Sequence, residues 1–298
     1  MNISRVVALN AGVPKEVSAY TVHRNCASAL ESVSQAFDKI RSGSADVVIA
    51  GGTESMSQMP LLFSKAFTDV FVKVMAAKTL PLKLSALSQL HLHDLKPEVA
   101  IMQGLTDPFS GLNMGETAEI LAREFEISRE EQDQFALKSH QKTIAAQEAG
   151  RFAEEITPVF LPPKYETYVK EDVGPRKGLT IEQLAKLKPY FDRKFGTVTV
   201  GNACPITDGA AMLLMMSREK ADNLGYKPLG VMRSYGFAGL EPERMGLGPA
   251  LATPLALKRA GLKLSDMNLI ELNEAFAAQV IACSKAFASK KFYKDRLG

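Results

Sequence analysis

A chain of 298 residues, 46% hydrophobic and 23% charged, carries enough apolar side chains for one or two buried cores, so it reads as globular with room for two domains. Lys plus Arg number 36 against 33 for Asp plus Glu, and no dense basic run is interleaved with aromatics, which leaves no footprint for nucleic acid. The three cysteines, Cys26, Cys204 and Cys283, form no CxxC pair; neither a disulfide framework nor a zinc ribbon is expected, and a reducing compartment fits.

No apolar run reaches the roughly 18 residues of a membrane span, and the first residues lack the basic, apolar and small-residue order of a signal peptide. The expectation is a soluble, intracellular protein, cytoplasmic or, in a eukaryote, mitochondrial.

Along the chain, residues 17–24 (VSAYTVHR) favour an extended segment. Leu30, Val33, Phe37 and Ile40 then recur as on one face of a helix that Gly43 ends. Val47 to Ala50, closed by Gly51 and Gly52, reads as a buried strand, so a strand, helix, strand unit with a parallel sheet is predicted. Cys26 falls at the helix N-terminus, where free amides and the macrodipole favour an anion and therefore a nucleophilic thiolate. Position alone leaves open the alternative of a small buried residue.

The stretch LLFSKAFTDVFVKVMAAKTLPLKLSALSQLHLHDL sets apolar residues among Lys65, Lys73, Lys78 and Lys83. It fits either basic amphipathic helices resting on acidic lipid or a helical hairpin packed on its own protein. His91 and His93 lack further clustered ligands, so no metal is expected there. Ser128 with Glu131 has the capping-box spacing for a helix running to Gly150. Near the end, Leu269, Ile270 and Leu272 suggest a strand broken by Asn273 and Glu274 before an alanine-rich helix. That puts Asn273 at a strand's carboxyl end, where α/β sites gather; a helix-capping asparagine is the alternative.

Several strings together carry a resemblance: RNCASAL with AGGTESMSQMP, NMGETAEILA, SREEQDQFALKSHQ, GTVTVGNACPITDGAAMLLMMS, LGPALATPLALKRAGL and ELNEAFAAQ. In this order they resemble the thiolase family, from about residue 3 to the C-terminus. The insert after residue 60 and KAFASKKFYKDRLG are most similar to the branch typified by the beta subunit of fatty-acid oxidation complexes.

The resemblance implies a 3-ketoacyl-CoA thiolase chemistry of fatty-acid beta-oxidation. Cys26 attacks the 3-keto carbonyl, acetyl-CoA departs, and coenzyme A takes the acyl group from the enzyme. Asn273 matches an asparagine that holds a water against the developing oxyanion. Met114 matches a methionine lining the pantetheine channel, and Arg176 is placed to meet nucleotide phosphates; a core methionine and a solvated arginine are the plain alternatives. Cys204 stands where the family usually has serine, which loses a hydroxyl hydrogen bond to coenzyme A. Coenzyme A is thus a substrate, and no tightly bound cofactor is implied.

The resemblance also implies an α/β, thiolase-like fold of two similar halves, each a five-stranded mixed sheet with helices on both faces, and a loop domain inserted in the first. Residues 1–61 and 207–228 are expected in a partial N-terminal domain, 62–206 in the insert and 229–298 in a partial C-terminal domain. The family's Gly-His-Pro segment and its second cysteine have no counterpart: His23, His91, His93 and His140 lie in other motifs, and Cys283 has the wrong spacing. A chain truncated at both ends is therefore expected, with acyl transfer at least about a hundredfold below a length-restored version. A homo-oligomer when complete, a beta-oxidation partner subunit and peripheral membrane contact all accompany the resemblance. The rival from another class is a non-catalytic thiolase-fold protein that binds acyl-CoA or a partner.

Overall fold

The computed structural model describes residues 2–297, which divide into two compact units: 2–58 with 206–235, and 59–205 with 236–297.

In the first unit, strand Val47–Ser55 pairs antiparallel with Asp208–Met216, in register from Val47 opposite Met216 to Ser55 opposite Asp208. The parallel pairing predicted for this strand is therefore corrected, because its ladder partner comes from far along the chain rather than from a local crossover. Residues 18–23 form no ladder either; they lead, without helix or strand, into the turn at Arg24 to Ala27.

Helix Ser28–Arg41 forms where its periodicity placed it, and Gly43 at φ 71° accepts the left-handed conformation that ends it. Its buried face differs from the predicted one. Leu30 is 58% exposed and Val33, Phe37 and Ile40 are half-buried, whereas Ser34 and Ala36 are buried. Where the helix meets the strand's glycines its own residues are small, Ala29 and Ser32. A Cβ on Gly52 would lie 2.8 Å from that of Ala29, and Ser32 Oγ donates to the Gly51 carbonyl at 2.9 Å. Phe37 instead meets Tyr235 edge-on, with ring centroids 6.2 Å apart. Ala50 is buried, but the strand as a whole is not: Ile49, Met212 and Leu214, which share the opposite sheet face, are exposed among the described residues.

The second unit is built on helices. Met114–Glu124 starts at a capping box in which Glu116 N–H donates to Asn113 Oδ1 at 3.0 Å and Asn113 N–H to Glu116 Oε2 at 2.7 Å. Its buried Ala118, Leu121 and Ala122 pack with Ala278, Ala282 and Cys283 of helix Ala277–Ala288, and Leu247, Ile127 and Val198 complete the core. Alanines on the facing surfaces let the two helices approach closely. Helix Arg129–Glu148 begins at the predicted Ser128–Glu131 capping box and is followed by Gly150 at φ 68°. Residues 269–272 are the exception. They run without a ladder partner among the described residues, so the strand predicted there is corrected to irregular chain, with Leu269 and Ile270 exposed.

Helices Lys65–Ala76 and Leu80–Leu87 form a hairpin whose buried seam holds Val70 and Ala86. Phe71, Met75, Leu80 and Leu92 stay exposed around it. His91 and His93 both approach the buried Asp94 carboxyl, at 3.5 and 3.1 Å; no group of three or more metal-ligating side chains is arranged around an ion site among the described residues. No helix among the described residues is long and apolar enough to cross a membrane.

Candidate active site

Cys26 sits in a turn fixed by its neighbours. Asn25 adopts φ 46°, a left-handed conformation that asparagine tolerates better than most residues. The Asn25 carbonyl accepts from both the N–H (3.1 Å) and the hydroxyl (2.7 Å) of Ser28, and Ser28 Oγ accepts the Arg24 N–H at 2.8 Å. One turn on, Glu31 takes hydrogen bonds from Gln35 Nε2 (2.8 Å) and Arg24 Nε (2.6 Å), which hold its carboxyl below the usual carboxylate range. The turn thus ties both ends of a short loop to the helix it precedes. Cys26, two residues before Ser28, is left exposed at the N-terminal end of Ser28–Arg41.

The second unit assembles three other motifs. Cys204 N–H donates to the Ala275 carbonyl at 2.9 Å, Ala203 bridges Phe276, and Ala277 N–H donates to Asn202 O at 2.9 Å. GNAC and NEAF therefore run side by side, with Cys204 and Asn273 both exposed. The backing is a buried polar network. Asn202 Nδ2 donates to Asp133 Oδ1 (2.9 Å), whose other oxygen takes Arg129 Nε (2.7 Å). Arg129 reaches on to the Leu184 and Leu187 carbonyls, at 2.6 and 3.0 Å. Buried Glu119 accepts the N–H groups of Thr197 and Val198, the latter at 2.8 Å. Every charge taken out of water here meets a donor, which such burial requires.

Beside NEAF lies a cluster that sequence reasoning did not bring together. Ser139 Oγ donates to Glu274 Oε2, and the neighbouring His140 Nδ1 accepts the backbone N–H of Arg176 at 3.2 Å. Burial first, then the Arg176 charge, pushes the His140 imidazole below its ordinary value, against the opposing pull of Glu274. Arg176 is thereby brought to the helix that also touches Glu274, next to Asn273. Met114, at the first turn of its helix, is half-buried. The sequence signal for His140 is its place in KSHQ, within a helix that is polar along most of its length. Cys283 is fully buried, its Sγ donating to Gly246 O at 3.2 Å, and burial pushes its thiol above its ordinary value, which disfavours the thiolate.

Comparison with known proteins gives consistent matches. Residues 1–219 match the model "Thiolase, N-terminal domain" and residues 226–293 "Thiolase, C-terminal domain". The chain is 45% identical over all 298 residues to a 3-ketoacyl-CoA thiolase of Pseudoalteromonas translucida and 44% identical to one of Yersinia enterocolitica, covering 67% of each. Among solved structures, the Bacillus anthracis acetyl-CoA acetyltransferase superposes with a TM-score of 0.84 at 36% identity, over 97% of this chain and 68% of that one. Human mitochondrial 3-ketoacyl-CoA thiolase superposes with a TM-score of 0.82 at 36% identity, over 96% and 68%.

Proposed function

The chain belongs to the thiolase family, and on that premise we propose that it is an acetyl-CoA C-acyltransferase acting on 3-ketoacyl-CoA in fatty-acid oxidation, with Cys26 as its nucleophile. The Cys26 sulfur adds to the 3-keto carbon. The bond between the second and third carbons then breaks, and its electron pair leaves with acetyl-CoA, which takes up a proton. The acyl group remains on Cys26 as a thioester until the thiolate of coenzyme A attacks and carries it off. In the family the proton transfers belong to a histidine and a second cysteine, for which no residue of this sequence matches. Asn273 takes the role of the water-holding oxyanion donor, and Met114, Arg176 and Cys204 that of coenzyme A contacts.

The observation that carries this reading is the exposed cysteine in a hydrogen-bonded turn before a helix, in a chain 45% identical to a 3-ketoacyl-CoA thiolase along its whole length. A non-catalytic acyl-CoA-binding role is the less supported rival, since it leaves both that turn and the strength of the match without a reason. Assembly as a homo-oligomer, with a beta-oxidation partner subunit and a peripheral membrane contact through the Lys65–Leu87 hairpin, belongs to the same reading, as does a cytoplasmic or mitochondrial site of action. The test is release of acetyl-CoA from a 3-ketoacyl-CoA in the presence of coenzyme A. It should vanish in Cys26→Ala and persist in Cys283→Ala; persistence in Cys26→Ala would refute the nucleophile assignment.

A further inference from the structure

Residues 170–179 have no strand or helix of their own, and three contacts with one helix hold them. Gln147 Nε2 donates to Asp172 O at 3.1 Å, Lys177 Nζ pairs with Glu148 Oε1 at 2.5 Å, and Arg176 N–H donates to His140 Nδ1 at 3.2 Å. The first two sit at the helix's last turn and on or near the surface. The third grips the peptide of Arg176 itself, through a half-buried ring. An exposed ion pair such as Lys177–Glu148 fixes little. A hydrogen bond to the backbone of the arginine fixes where that side chain starts.

We propose that His140 is a positioning residue for coenzyme A: by accepting the Arg176 N–H it orders the loop that presents the Arg176 guanidinium to the nucleotide phosphates. This rests on the reading of Arg176 as a phosphate contact. Acceptance at Nδ1 requires a ring with no proton on that nitrogen, and burial together with the Arg176 charge favours that neutral ring. Glu274, whose charge pulls the imidazole the other way, is itself engaged by Ser139. The helix therefore meets the Arg176 loop and the Asn273–Glu274 segment with consecutive residues, His140 and Ser139. A loop already ordered loses less entropy on binding, so the effect falls on affinity.

The experiment is calorimetric titration of coenzyme A into the 298-residue chain and its variants. Arg176→Ala and His140→Leu should each raise Kd about tenfold, the scale of a charged hydrogen bond. The double variant should bind no more weakly than either single one, because His140 acts through Arg176. His140→Asn, whose Oδ1 takes the place of Nδ1, should bind within about twofold of the parent, whereas His140→Gln, with its acceptor one atom further out, should behave like His140→Leu. This Asn and Gln pair decides the matter if His140→Leu does not fold. Additive losses, or a harmless Gln beside a damaging Arg176→Ala, would overturn the positioning role while leaving the phosphate contact intact. An Arg176→Ala variant that binds as the parent does would instead remove the underlying contact, and the inference with it.

Discussion

The two units hold their candidate residues by opposite means. In the first, Cys26 depends on a single turn: Asn25 in a left-handed conformation, a serine hydroxyl and a salt-bridged glutamate, set on a helix that packs through alanine and serine onto glycines. In the second, the segments of Cys204 and Asn273 are held from behind by buried Glu119, Gln132, Asp133 and Asn202, bonded to backbone and to one another. The difference teaches where each is vulnerable. Local geometry is lost by adding bulk, and a polar network is lost by deleting one member, which leaves its partners buried and unpaired.

The largest effect should come from the network. Glu119→Ala strands the Thr197 and Val198 N–H groups in the interior and should lower unfolding stability by about 3 kcal/mol in urea titrations. Near-neutral behaviour would mean the clamp is decorative and the comparison false. In the first unit, Gly52→Ala brings a methyl to 2.8 Å from the Ala29 Cβ and should cost about 2 kcal/mol by pushing Ser28–Arg41 off the strand. It should also slow the reaction of Cys26 with iodoacetamide, whereas Glu119→Ala should leave that rate alone; equal effects would erase the distinction between the units. Ser128→Ala removes one half of a capping box and should cost about 1 kcal/mol.

The smallest effect is on pH dependence. The folded His140 imidazole lies below its unfolded value of about 6.5, so the neutral form is the one that stabilises. That contribution is complete above the unfolded value and is lost as pH falls through the lower folded one, as the ring must take a proton between the Arg176 and Glu274 charges. With His140→Asn as the non-titrating reference, the urea midpoint of the parent should drop relative to the variant on going from alkaline to acidic buffer. A parallel pair of curves would contradict the assigned sign.

Much of the local structure was legible because its causes are local. Ser128 and Glu131 announce the Arg129–Glu148 helix, Gly43 ends Ser28–Arg41, and Cys26 falls at a helix start as its neighbours indicate. Pairing was not legible. Val47–Ser55 finds an antiparallel partner at Asp208–Met216 that no neighbouring residue foretells, and residues 269–272 have strand-like composition without a strand beside them. Helix Ser28–Arg41 misled for a related reason: its large residues are periodic, yet the residues it buries are the small Ser34 and Ala36, and those it sets against the strand's glycines are Ala29 and Ser32. The His140 cluster was invisible because it joins Ser139, Arg176 and Glu274 from three separate segments.

The central claim, that the turn before Ser28–Arg41 makes Cys26 the acyl acceptor, is tested by following the transfer of an acyl group from a saturated acyl-CoA to protein sulfur. This exchange of one thioester for another needs no carbanion and no proton donor for it. Intact mass followed by peptide mapping under acid should show one acyl group per chain, on the peptide containing Cys26, with slower addition at exposed Cys204 and none at buried Cys283. An adduct that forms first on Cys204 or Cys283 of the folded protein, or one that persists undiminished in Cys26→Ala, would contradict it.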